Sequence, residues 1–170
     1  MKRLTIIFSV IMFGFLLSAC GAVTPGQFAG TPELYEYNRN STMMWPTKWY
    51  CVEPDTTGRL LLKTSSQDSE IRVYAAPADC LERIGAIVRE HKLWKLKNSY
   101  TPPVRILDGY MWGIRIRYEG DTIYSGGSNA MPSGKLLEGI SAINGYLQGL
   151  LDAFGEEDLL RLESHADRRR

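Results

Sequence analysis

The chain has 170 residues, of which 44% are hydrophobic and 23% charged, with 20 Lys and Arg against 19 Asp and Glu. That balance excludes a disordered chain and removes the electrostatic reason to expect nucleic acid as a partner. The length allows one domain large enough for a real core.

In chain order, Lys2 and Arg3 precede an apolar run from Leu4 to Leu17, closed by Leu17-Ser18-Ala19-Cys20. The run is shorter than the roughly 20 residues of a spanning helix, and small residues precede a cut site, which is the pattern of a secretory signal. Leu17-Ser18-Ala19-Cys20 resembles the lipobox of bacterial lipoproteins. The resemblance covers residues 1–20 alone. It implies that 1–19 is a signal peptide, that the Cys20 thiol takes a diacylglycerol, and that the new amino group takes a fatty acid such as palmitate. Two or three acyl chains hold a protein stably where one holds it marginally. The expected location is a cell membrane or outer membrane, with the domain extracytoplasmic; Gly21 in place of Asp resembles outer-membrane sorting. Loss of Lys2 and Arg3 lowers the 20 basic side chains to 18 against 19 acidic, a net charge of −1.

Residues 20–43 carry Pro25, Gly26, Gly30 and Pro32 without a hydrophobic period, and read as a lipidated terminus and tether. One domain is expected over 44–155. Trp45, Trp49, Tyr50, Cys51 and Val52 favour a strand ending at Pro54. A turn at Asp55-Thr56-Thr57-Gly58 leads to a second strand from Arg59 to Thr64. Ile71 and Val73, alternating with Arg72 and Tyr74, form a third. Pro77 suits a first helical turn, behind which Cys80, Leu81, Ile84, Ile87, Val88 and His91 recur at helical spacing. Tyr110 to Tyr118 is the clearest strand, with Trp112, Ile114 and Ile116 on one face and Met111, Arg115 and Arg117 on the other. A turn at Glu119-Gly120-Asp121 returns the chain along Thr122 to Ser125, with Ile123 inward and Tyr124 on the face of Arg117. Leu136 to Phe154 forms a second amphipathic helix, and 156–170 a charged tail. The order β-β-β-α-β-β-α predicts an α+β fold, an antiparallel sheet of about five strands with both helices on one face.

With Cys20 acylated, Cys51 and Cys80 remain, and a lone pair in an oxidising envelope is expected to bridge. Without a nearby histidine they make a poor metal site. Gly126-Gly127-Ser128-Asn129 lacks the Lys-Ser/Thr of a phosphate loop and reads as a strand-to-helix connection. His91 falls on a helix's inner stripe, His165 in the tail, and neither Ser125 nor Ser128 has a nucleophile elbow around it. Asp108 before Gly109 reads as a turn residue. No catalytic residue, metal or cofactor is assigned.

If both helices cover one sheet face, Arg72, Tyr74, Met111, Arg115, Arg117 and Tyr124 line the other. Arginine and tyrosine are favoured at binding sites, and an arginine row takes carboxylate or phosphate groups bidentately. The opposing reading is a solvated face whose arginines pair with Glu70, Glu119 and Asp121. The ligand-binding candidates are therefore Arg72, Tyr74, Arg115, Arg117 and Tyr124. The expected partners are the membrane, through Cys20, and a protein or anionic envelope component. A non-catalytic binding or scaffolding module is the expected function. Its rivals are an envelope hydrolase acting on glycan or peptide crosslinks, and an inhibitor or immunity-type protein. Cys20→Ser is expected to leave the precursor uncut and unlabelled by a fatty-acid probe; equal label on the variant would sink the lipobox reading.

Overall fold

The computed structural model describes residues 25–41, 48–65, 70–104, 106 and 109–164. Cys20, Trp45, Asp108 and His165 lie outside these residues. The elements run β1 (Leu34–Ser41), β2 (Lys48–Pro54), β3 (Leu60–Ser65), β4 (Glu70–Ala75) and α1 (Cys80–His91). They continue with β5 (Ser99–Tyr100), β6 (Tyr110–Tyr118), β7 (Asp121–Ser128), α2 (Lys135–Ala153) and β8 (Leu159–Ser164). One eight-stranded sheet has the order β5-β7-β6-β1-β2-β3-β4-β8. Among the described residues the β5–β7 pair alone is parallel.

The chain is thus α+β with two helices, but the sheet has eight strands and is mixed, not five and antiparallel. The clearest correction concerns β1. Residues expected to form a tether instead occupy the middle of the sheet, paired with β6 on one side and β2 on the other. Residues 159–164, expected in a charged tail, form β8 on the edge beside β4.

Directly opposed residues share a face of the sheet, because side chains alternate along each strand. One row crosses seven strands as Ile123, Ile116, Tyr35, Val52, Leu62, Tyr74 and Leu159. Its neighbour runs Ser125, Ile114, Tyr37, Tyr50, Thr64, Arg72 and Leu162. Both helices close over these rows: Cys80, Leu81, Ile84 and Val88 of α1 and Ile140, Ile143 and Leu147 of α2 complete one buried cluster. Burial of each large apolar side chain here contributes about 1.5–3 kcal/mol.

The opposite face is apolar in one half only. There Trp49, Cys51, Leu61, Ile71 and Val73 form a second buried cluster. Cys51 therefore lies on the outer face, whereas Cys80 lies under the helices, and no disulfide joins them. The sheet itself separates the two thiols. Tyr50 and Val52 occupy the helix side, so alternation sends Cys51 away from α1. No helix among the described residues is long and apolar enough to cross a membrane.

Burial pushes the Cys80 thiol from its ordinary 9.0 up to about 11, and the Tyr118 phenol from 10.0 up to about 12. Both groups keep their protons in the folded chain over a range where the unfolded chain has lost them. Their contribution is full below about pH 9 and is lost as pH rises through the folded values. Urea unfolding at pH 7.5, 9 and 10.5 is expected to show a falling midpoint, and an unchanged midpoint would contradict the burial of these groups.

Candidate functional site

The five residues expected to share a binding face divide between both sides of the sheet. Arg115, Arg117 and Tyr124 do lie together on the outer face, since Arg115 is opposed to Tyr124 across β6 and β7. Arg72 and Tyr74 lie on the helix side, in the rows of Tyr50 and Val52. Tyr74 stacks on Phe154 at 5.0 Å between ring centroids, and Arg72 reaches Glu156 at 3.1 Å. The reason is the outer cluster. Alternation shows that Ile71 and Val73 leave the strand opposite to Arg72 and Tyr74, but either apolar face of this sheet can receive them.

The outer arginines are already paired. Arg115 binds Glu36 at 2.8 Å across the β1–β6 pair, and Arg117 binds Glu33 at 3.2 Å. The carboxylates come from β1 and the residue before it, not from Glu70, Glu119 or Asp121. Glu36 also accepts from the Trp49 indole at 3.0 Å. A shallow depression of about 120 Å³ lies beside Tyr124, lined by Glu36, Asn38, Gly113 and Arg115.

A larger cleft opens on the helix side, where β1 and β2 pass beneath the first half of α2. Its volume is about 540 Å³. Tyr37 and Tyr50 form its floor, with ring centroids 6.5 Å apart and planes inclined by 21°. Met131, Leu137 and Ile140 supply apolar wall, while Ser141, Asn144 and Gln148 supply polar wall from α2. The hydroxyl of Tyr35 donates to Asn144 Oδ1 and that of Tyr50 to Gln148 Oε1, each at 2.7 Å. Gln148 Nε2 donates onward to Asp152 at 2.8 Å. Burial pushes the Tyr35, Tyr37 and Tyr50 phenols above their usual range, so all three remain protonated donors at neutral pH.

Two cations complete the lining, Arg39 and Lys48. They are directly opposed across the β1–β2 pair, which places two like charges side by side. No carboxylate lines the cleft among the described residues, and neither cation has an ion-pair partner there. The Arg39 guanidinium lies over the Tyr110 ring at 4.5 Å, and its buried Nε has no hydrogen-bond partner among the described residues. Sequence reasoning missed both residues, since one was assigned to a tether and the other stands at a strand end. The alternation of Tyr35, Tyr37 and Arg39 was the available signal.

Among the described residues, His91, Ser125 and Ser128 do not come together. His91 Nδ1 meets the Lys135 carbonyl at 3.0 Å, in the contact between α1 and α2. Ser125 is buried and donates to the Lys97 carbonyl at 2.6 Å. Ser128 is opposed to Met111 on the outer face, across the sheet from His91. Among the described residues no three His, Cys, Asp or Glu side chains come together to hold a metal.

The segment from Gly126 to Pro132 has a structural use. A Cβ on Gly127 would meet the Ala130 carbonyl and Trp112 Nε1 at 2.6 Å and the Tyr100 carbonyl at 2.7 Å. Trp112 Nε1 donates to that Ala130 carbonyl at 2.6 Å. Asn129, at φ 53°, accepts from the Tyr110 amide through its side chain and donates to the Tyr110 carbonyl through its own amide. These contacts clasp the loop that follows β7 onto β6, with β5 packed closely against Gly127. No family model matches the chain, and no curated protein matches it.

Gly127→Ala is expected to lower stability by about 1–3 kcal/mol, because the neighbours it would strike are backbone and a packed indole. Gly149→Ala is expected to raise it by about 0.5–1 kcal/mol, since Gly149 faces open space within α2. Thermal melts of the two variants check both signs.

Proposed function

We propose that the chain is a lipid-anchored envelope protein that binds its ligand without transforming it, and that the cleft beneath α2 is the binding site. The observation that carries this reading is the opposition of Arg39 and Lys48 with no carboxylate between them. Like charges held directly opposite one another cost stability. An anionic group seated between them offsets that cost, and a guanidinium beside an ammonium matches the oxygens of a phosphate or carboxylate. The tyrosine floor and the apolar wall suit a ring attached to that group. The amide wall, oriented by Tyr35 and Tyr50, suits hydroxyl or amide substituents on the ring. A phosphorylated or carboxylated sugar meets all three requirements.

The purified full-length lipoprotein, titrated calorimetrically with N-acetylglucosamine 1-phosphate, is expected to bind this probe and to ignore neutral N-acetylglucosamine. Arg39→Gln and Lys48→Gln are each expected to weaken binding more than tenfold; Lys48→Gln, which removes an exposed charge from a repelling pair, is expected to keep or raise the melting temperature, whereas Arg39→Gln also loses the contact with the Tyr110 ring. Equal binding by the stable variants would overturn the assignment, as would equal binding of the neutral sugar.

A further inference from the structure

Pro25, the first described residue, lies five positions from the expected acylation site. Pro25 starts a 3-10 turn that ends at Phe28, and Phe28 is buried. Only residues 21–24 separate Cys20 from Pro25, which limits their Cα separation to about 18 Å. Phe28 stacks on Trp94 at 6.3 Å, with the planes inclined by 11°, and meets the edge of Tyr118 at 5.2 Å. Arg89 Nη1 donates to the Ala29 and Gly30 carbonyls at 3.1 and 3.0 Å, fixing this segment to α1.

The ring beneath Phe28 belongs to a basic stretch, Lys92-Leu93-Trp94-Lys95-Leu96-Lys97. Lys92 ends α1 in the left-handed conformation, and a 3-10 turn over Leu93–Lys95 follows. Leu93 and Leu96 point into the core while Lys92, Lys95 and Lys97 are exposed. The Ser125 hydroxyl and the Gly126 amide hold the Lys97 and Asn98 carbonyls against β7. Among the described residues none of the three lysines has an ion-pair partner. Glu33, at this same end, is neutralised by Arg117, and Glu119 and Asp121 lie on the β6–β7 turn beyond Tyr118.

We infer that the surface bearing Lys92, Trp94, Lys95 and Lys97 docks the domain onto the anionic headgroups of the membrane that holds its anchor. The inference rests on the proposed acylation of Cys20. Four residues at full extension cannot lift the domain clear of the bilayer, and the surface beside Phe28 carries, among the described residues, three lysines without ion-pair partners around an indole. Lysines attract acidic headgroups, and an indole ring is suited to the interface between headgroups and water.

The full lipidated chain, reconstituted on vesicles of phosphatidylcholine alone or with 30% phosphatidylglycerol, tests both points. Flotation on the pure phosphatidylcholine vesicles reports the anchor. Lysine acetylation followed by mass spectrometry reports the surface. Lys92, Lys95 and Lys97 are expected to react at least threefold more slowly on the phosphatidylglycerol vesicles, with recovery in 0.5 M salt and no change at Lys48. Flotation on both vesicles with equal lysine reactivity would overturn the docking surface and leave the anchor standing. Flotation only on the acidic vesicles, with the three lysines protected, would support the surface and refute the anchor. Flotation on neither would overturn both.

Discussion

Strand β1 is the constraint on which the rest of this molecule depends. It hydrogen-bonds to β6 along one edge and to β2 along the other, and so joins the β6–β7 hairpin to the β2–β3–β4 meander in one sheet. Without that strand each half would present a long unpaired edge, which is a route to aggregation. Tyr35 lies in the centre of the core row between Ile116 and Val52, and is fully buried. The hydroxyl it carries finds Asn144 on α2, so the polar atom that enters the core with the ring is satisfied there.

The same strand organises both surfaces. On the outer face Glu36 stands between Arg115 and the Cys51 position, where it neutralises the arginine and accepts from Trp49. On the helix face Tyr37 and Arg39 continue into the cleft, where no acid among the described residues answers the arginine. Among the described residues, the outer arginines are therefore neutralised internally, while Arg39 and Lys48 have no ion-pair partner. Exposed ion pairs such as those of Arg115 and Arg117 add little stability, about 0–1 kcal/mol each. Their presence does remove the free charge that an anionic partner would need.

The two-faced burial of the β2–β4 half explains why the expected binding surface divided. A strand with one apolar face announces which way it lies only when the other side of the sheet is wet. Here both sides bury apolar residues, Leu62 and Tyr50 beneath the helices and Leu61, Ile71 and Val73 on the outer side. Parity along β4 was legible, but its sign was not. The β6–β7 hairpin behaved differently because its outer face is polar, so Trp112, Ile114 and Ile116 had one place to go. Cys51 and Cys80 followed the same logic, and the sheet lies between them.

Local patterning in the sequence was sufficient for α1, α2 and the β6–β7 hairpin, whose stabilising contacts and turn chemistry lie within a few residues of one another. Both helices did pack on one face, as their single apolar stripes required. The placement of β1, β5 and β8 belonged to the tertiary structure. β1 pairs with residues about eighty positions away, and β8 with β4 about ninety positions away, so their local composition of mixed charges and amides resembles linker and tail. Arg39 and Lys48 are ordinary surface cations in the linear chain. Their opposition beneath α2 arises only when β1 enters the sheet, because a strand acquires its neighbours from the fold and not from its own residues.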